Sequence, residues 1–496
     1  MSCKVLNVRP VAAFVRPLGV VAVVSLLCGC YSYRIKHVEA PVQLPPAWDA
    51  GVTANAKPGV AKDWWKSFHS TVLEGLIEEA LRNNPSIIGT EERLKQAERN
   101  FQTQTDSLGI VPDLSLSAST SKGVSGSINN PSGPFGPGQD NARATQSTSL
   151  GLSTSYNVDL WGATAARYRN NLANFIGTKY DADLARIQLS ANIARSYFNL
   201  LQVRSSVNVA RENLKIAEEG LRIVNARYEQ GVLREFDLRQ QQIALQQQRN
   251  ALIPRENQMR AAETALGLLL GRTPQEFHLE GEPIENLTVP EIAPWLPSEL
   301  LLRRPDMAGA ELDMAVSKAN LEIARAALIP ISLSLSANLS KSSQDLLSLT
   351  DPTTYSLSGA LRIAEGIFSH RSRKIAVLNA ESNEYIALIT YANTIRTALK
   401  EVDDALAALV AAQLTEESQQ RTLTQARRSY ELAQIELREG SGSQQERLDA
   451  QRSLFSAEDS VLSARVSRLN AALTLFVALG GGWEGRGPET PPAPTR

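Results

Sequence analysis

Few side chains in this chain are of types that do chemistry. Its only cysteines are Cys3, Cys28 and Cys30, and its four histidines, His37, His69, His278 and His370, stand far apart. No Cys/His spacing matches a metal site and no nucleophile motif occurs, so an enzyme reading would rest on scattered carboxylates alone. Gly133-Pro-Phe-Gly-Pro-Gly138 is glycine-rich but broken by proline, and it does not read as a phosphate cradle between strand and helix. The expectation is a protein that is not an enzyme, with no cofactor and no metal. The cysteines point to a different chemistry. Lys4, Arg9 and Arg16 precede an apolar run from Leu18 to Leu27, no acid occurs before Glu39, and Gly29-Cys30 follows the run. This is a secretory signal over residues 1–29, laid out like a bacterial lipoprotein signal in which the Cys30 thiol is acylated. The run falls short of the ~20 apolar residues that a membrane-spanning helix needs. A mature chain keeping Cys30 alone has no disulfide framework. By the same likeness, Tyr31 in the position after the cysteine favours the outer membrane.

Composition narrows the class further. The chain has 496 residues, 43% of them apolar, and a net charge of −1. That is enough for a large core, and nothing in it attracts nucleic acid. No apolar run beyond the signal reads as a bilayer-spanning helix.

The elements that would carry a function are written twice. Gly231 and Gly271 are spaced as Gly440 and Gly480 are, at an offset of 209 residues. With that offset Arg-Tyr-Glu-Gln-Gly231 lies on Glu-Leu-Arg-Glu-Gly440, and Leu-Leu-Leu-Gly271 on Val-Ala-Leu-Gly480. Further back, Ile110-Val-Pro-Asp-Leu-Ser-Leu-Ser-Ala118 reappears as Leu328-Ile-Pro-Ile-Ser-Leu-Ser-Leu-Ser-Ala337, and Asn-Asn-Pro85 as Arg-Arg-Pro305. The predicted organisation is an N-terminal extended segment at 30–62, a first repeat at 63–272, a proline-rich linker at 273–298, a second repeat at 299–483 and a disordered tail at 484–496. Each repeat runs helix, strand, strand, long helix, sharp turn, helix.

Leu114, Leu116 and Ala118 alternate with Asp113, Ser115, Ser117 and Ser119, and three stretches resemble this one: 148–158, 331–339 and 355–363. Between the first two, Lys122–Gln146 is rich in Gly, Ser, Pro and Asn and reads as a long loop. An apolar and a small polar face over about ten residues is the mark of an outer-membrane strand, or of a half-buried sheet in a soluble domain. In lipid, strands must close into a barrel of at least about eight. Four strands per chain cannot do this alone, so several copies would share a barrel; periodicity leaves a dimer and a trimer both open.

From Ala163 to Gln230 there is no proline, and apolar residues recur three or four apart; the second half is likewise proline-free from Arg371 to Glu439. At about 1.5 Å per residue these are rods near 100 Å long. With return helices over 233–270 and 444–479 they would bury their stripes as coiled coils.

Four motifs carry a resemblance to a known family: Trp64-Trp65-Lys-Ser-Phe68, Tyr156-Asn-Val-Asp-Leu-Trp-Gly162, Leu301-Leu-Arg-Arg-Pro-Asp306 and Leu448-Asp-Ala-Gln-Arg-Ser-Leu454. In this order they resemble the outer-membrane factors of Gram-negative tripartite exporters, the TolC-like proteins, in the lipidated efflux branch typified by OprM. The resemblance implies an α+β membrane protein and a homotrimer. Its tandem repeats would contribute four strands each chain to a twelve-stranded β-barrel in outer-membrane lipid, continued by a long α-helical coiled-coil tube in the periplasm. The function implied is a passive conduit for small molecules, driven by an inner-membrane pump through a periplasmic adaptor. On this reading the adaptor meets the turns Gly231-Val232-Leu233 and Gly440-Ser441-Gly442. Glu446 and Asp449 would narrow the periplasmic end, three apart on one helix face. Asp237 matches an acid of a closing latch whose family partners fall here on Leu437 and Gly442, which leaves Arg438 or Arg447 to take their place. The rival reading from another class is a structural or adhesive coiled-coil surface lipoprotein.

Overall fold

The structure, a computed structural model, describes residues 61–485 apart from 108–112, 126–142, 274, 276, 280–281, 291, 293–296, 301, 329–330, 344–353 and 364–369, together with Val42, Pro45 and Trp48. The signal, Cys30 and the tail beyond Gly485 lie outside the described residues. All described residues belong to the unit Ala40–Arg496.

Helix α1 (Thr71–Asn83) starts at Ser70, whose hydroxyl accepts from Leu73 N at 3.1 Å, and it buries Leu73, Leu76, Ile77 and Ala80. Prolines open α2 (Pro85–Ser107) and, in the second half, α5 (Pro305–Ala326), where the missing N–H costs nothing. The long elements follow the glycine punctuation: α3 (Ala163–Glu229, 67 residues) returns as α4 (Glu235–Leu269), and α6 (His370–Glu439, 70 residues) returns as α7 (Gln444–Ala478). Helix α4 continues through Pro254. Just past it, Arg255 pairs with Asp459 of α7. The C-terminal part of α7 is apolar enough, by length and composition only, to pass for a membrane span, a signal that a search for uninterrupted apolar runs misses; half of it is buried inside the fold.

The four strands form one antiparallel sheet in the order β1 (Asp113–Ser125), β2 (Arg143–Val158), β3 (Ile331–Ser343), β4 (Thr354–Ile363). Register gives the alternation its meaning. Leu116 pairs with Leu152, Leu152 with Leu339 and Leu339 with Tyr355, so an apolar type stands at one level across all four strands. The next level is Ser115, Ser153, Asn338 and Ser356, and Ser115 Oγ lies 2.6 Å from Ser153 Oγ. The strands outrun the expected loop: Lys122 pairs with Gln146 and Ser125 with Arg143, so the ends of 122–146 belong to the hairpin.

The first motif packs where the halves meet. Trp64 stacks on Phe476 of α7 with centroids 5.4 Å apart, and Phe68 lies 5.2 Å from Phe198 of α3. The proline-rich linker is tied down by Thr288 N donating to Phe68 O at 3.1 Å and by Arg204 Nη2 donating to Leu279 O at 2.6 Å. In the second motif, Asp159 accepts from Ala165 N at 3.1 Å and so caps the start of α3 where strand passes to rod.

The third motif is one of two repeat-related clamps. Asn84 Nδ2 donates to Leu269 O at 2.7 Å, and its counterpart Arg304 donates Nη1 to Ala478 O at 2.9 Å, one carbonyl at the end of each return helix. Arg304 is 8% exposed and also holds Asp306 at 2.6 Å and Glu401 of α6 at 2.7 Å. Removing a buried cation strands its partners, although both carboxylates here are partly hydrated. Arg304→Ala is therefore expected to lower unfolding stability by about 2–3 kcal/mol, and Asn84→Ala, which loses a neutral bond, by about 1 kcal/mol. Thermal melts of the detergent-extracted protein check the ranking.

Candidate gate at the helical turns

Both rods reverse at a glycine in the left-handed region. At the first turn Gly231 has φ +73°, its N–H bonds Tyr228 O at 2.9 Å, and Val232 N–H bonds Arg227 O at 3.0 Å. This pair of bonds is a Schellman cap, which requires a left-handed residue and so favours glycine. At the second turn Gly440 has φ +80° and Ser441 N–H bonds Glu436 O at 3.0 Å. Gly442 sits so close to Glu436 that a Cβ would come within 2.9 Å of the Glu436 Cβ. The turns differ in surface: Val232 is 68% and Phe236 60% exposed at the first, with Leu233 half-buried, whereas Gly440-Ser441-Gly442 offers only small groups.

The three candidate acids fall into place through the repeat. Ser443 and Glu446 form a capping box on α7: Ser443 Oγ accepts from Glu446 N at 3.1 Å, and Glu446 Oε2 accepts from Ser443 N at 2.7 Å. The Ser443 N–H, and after it the Ser443 hydroxyl, hold the Glu446 carboxyl below the usual range. Asp237, at the equivalent place on α4, accepts from Arg234 N at 3.3 Å and pairs with Arg234 Nε at 3.3 Å. Among the described residues no hydrogen bond or ion pair joins Asp237 to Arg438 or Arg447; its charge is taken up by its own helix start. Asp449 lies on the exposed side of α7 with Glu446 and pairs with Arg452 at 3.1 Å.

Arg447 points the other way, and it leads to residues that periodicity does not single out. Its Nη2 donates to Gln241 Oε1 at 2.9 Å and its Nη1 to Gln451 Oε1 at 3.3 Å. Gln241 is 1% exposed, and its Nε2 donates to Ala217 O of α3 at 3.2 Å. The available signal is a glycine near the C-terminal end of the first rod: a Cβ on Gly220 would stand 2.8 Å from Gln241 Nε2.

A model of the outer membrane efflux protein family matches residues 76–272 and 296–481, both repeats with their sheet and hairpins. The chain belongs to the outer membrane efflux protein family. This efflux protein is 30% identical to the pyoverdine export outer membrane protein OpmQ of Pseudomonas aeruginosa, over 92% of this chain and 95% of that one. It is 28% identical to the probable outer membrane lipoprotein SilC of Salmonella typhimurium, over 93% of this chain and 98% of the relative. It superposes on the crystal structure of the Campylobacter jejuni CmeC outer membrane channel with a TM-score of 0.78 at 25% identity, covering 92% of this chain and 96% of that one. The efflux protein is thus an outer-membrane channel component, and its relatives are export and efflux channel proteins rather than enzymes or adhesins.

Proposed function

We propose that three copies of the chain form a passive conduit for small molecules. Each contributes its four strands to a twelve-stranded barrel in outer-membrane lipid and its two hairpins to a periplasmic helical tube. An inner-membrane pump and a periplasmic adaptor supply the drive, the adaptor meeting Gly231-Val232-Leu233 and Gly440-Ser441-Gly442. Cys30, acylated, anchors the mature chain, and residues 63–272 and 299–483 act as the two repeats joined by the linker.

One observation carries this reading: among the described residues the sheet ends in two edge strands, β1 and β4, each paired with a single neighbouring strand. In hydrocarbon each unpaired group costs several kcal/mol, so the edges must meet the edges of other copies. The residue types support lipid on one face, since Leu116, Leu152 and Leu335 are 73%, 38% and 42% exposed in the single chain. Leu160 and Trp161, each 44% exposed at the junction of β2 and α3, fit the aromatic border of such a band.

The test is single-particle imaging of the detergent-extracted full chain without imposed symmetry. The expected result is a three-fold particle with a barrel at one end and a helical tube below it. A lone elongated subunit under the same conditions would overturn the shared barrel.

A further inference from the structure

The register sorts the strand residues onto two faces, since opposed residues share a face and so do alternate residues along a strand. All four helix junctions lie at one end of the sheet: β1 follows α2, β2 leads into α3, β3 follows α5 and β4 leads into α6. Away from that end, beyond the row that holds Leu116, the leucine face continues with Lys341 opposite Leu150, then Thr148 between Thr120 and Ser343, then Lys122 opposite Gln146. Lys341 and Lys122 are the only charged residues that the described strands place on this face. The one acid of those strands, Asp113, stands at the helix end on the other face. Depth decides what two cations on an apolar face mean. From Leu150, level with Lys341, to Val158 at the end of β2 is eight residues. At about 3.3 Å per residue and a tilt near 40° this spans about 20 Å of membrane, and the Leu160–Trp161 border follows at once. An outer-membrane apolar band is about 25 Å tall, so Lys341 stands at its outer limit, and Lys122, four residues further out, about 10 Å beyond it. A lysine that is costly at mid-bilayer costs little at such a border.

We propose that the outer end of the leucine face binds phosphorylated lipid headgroups of the outer leaflet, with Lys341 and Lys122 as its cations and the row of Thr120, Thr148 and Ser343 between them as hydroxyl donors. This rests on the shared-barrel reading, which sets the leucine face against lipid and this end of the sheet outward. Anionic headgroups attract lysines at a membrane surface, and phosphate oxygens accept from ammonium and hydroxyl groups alike. A border that served only to end the apolar band would need no more than the serines and threonines found elsewhere on the strands. Here both charges have one sign, no carboxylate on the face competes with a phosphate, and the hydroxyl row stands between the two lysine rows. Arg143, at the same end of the sheet, belongs to the opposite face, which the barrel would turn to its interior, and has no part in the patch. Three copies around the barrel repeat the patch three times along the outer rim.

The test is equilibrium binding of diphosphoryl lipid A to the detergent-extracted full chain, read by native mass spectrometry, beside the same lipid stripped of its phosphates. The parent protein is expected to prefer the phosphorylated form. Replacing both lysines, Lys341→Asn with Lys122→Asn, is expected to weaken that binding about thirtyfold, roughly five- to sixfold for each lysine, and to leave binding of the stripped lipid unchanged. Lys341→Arg with Lys122→Arg should keep the preference, and Arg143→Asn should not alter it. An unchanged thermal melt separates lost binding from a lost fold, and if the double variant fails to assemble, each single variant carries the test at its own five- to sixfold. Equal binding of the two lipids, or an Asn pair that binds as the parent does, overturns the patch. Displacement of the lipid by inorganic phosphate at equal concentration would make it a free-anion site and overturn the lipid assignment. The same preparations are imaged: a three-fold barrel without the lipid preference strikes the patch alone, whereas a lone subunit removes the barrel reading and the patch with it.

Discussion

Replacing Glu446 and Asp449 by their amides is expected to weaken block of the channel by divalent and trivalent cations roughly tenfold or more, the scale on which a focused field concentrates counter-ions. The argument starts from the helix. The two acids lie three apart on the exposed side of α7, and α7 begins at the turn, so in the proposed trimer they would stack as two rings at one end of the tube. Arg452 compensates Asp449 alone, through a bond of 3.1 Å. Among the described residues Glu446 has no cation in its bonds, only the Ser443 cap, which holds its carboxyl below the usual range. Amides are the right replacement because Gln at this position still completes a capping box with Ser443, whereas Ala would fray the start of α7 and mix a folding defect with a charge effect. Single-channel recording with added cations checks it. Block unchanged in the double variant would make these two acids an ordinary solvated face.

Much of this architecture is legible in the residues, for reasons that differ by element. The rods read well because proline is absent for more than sixty residues and glycine marks each reversal; the expected span Ala163–Gln230 becomes Ala163–Glu229. The turns read for the same reason. The hairpin of β1 and β2 reads short, because its far end is mostly Ser, Thr, Gly, Lys and Gln, and the single apolar level Val124–Ala144 is too little to show an alternation. Buried polar side chains are the least legible. Gln241 and Gln451 look like any residue of a polar helix face until a second hairpin is laid against them, and only Gly220 hints at the contact. Asp237 shows the reverse case. Family likeness makes it a latch acid, while its place at the 209-residue offset from Glu446 makes it the same helix-start cap in the other repeat.

The second large effect is expected at a glycine far from the turns. Gly480→Ala should abolish the folded channel, with a stability loss on the order of 4 kcal/mol or more, the range reserved for strained or overpacked sites. Gly480 has φ +97°, and a Cβ there would lie 1.9 Å from Arg303 O, backbone that cannot swing away. Any shift breaks neighbouring bonds in turn: Gly480 N to Val477 O at 3.0 Å, Arg304 to Ala478 O, and the Trp483 indole N–H to Asp183 at 3.1 Å. The repeat supplies graded controls. Gly271 has φ +76° and its Cβ would stand 2.7 Å from Asn83 O, a smaller overlap at the equivalent crossing. Gly231 has φ +73° with nothing within 4 Å, so Gly231→Ala should cost only the left-handed strain, about 1–2 kcal/mol. Yield and thermal melting of the membrane-extracted protein should therefore fall in the order Gly231→Ala, Gly271→Ala, Gly480→Ala. Equal losses at all three would mean that backbone conformation, and not the crossing of the return helix over the start of α5, sets the requirement for glycine.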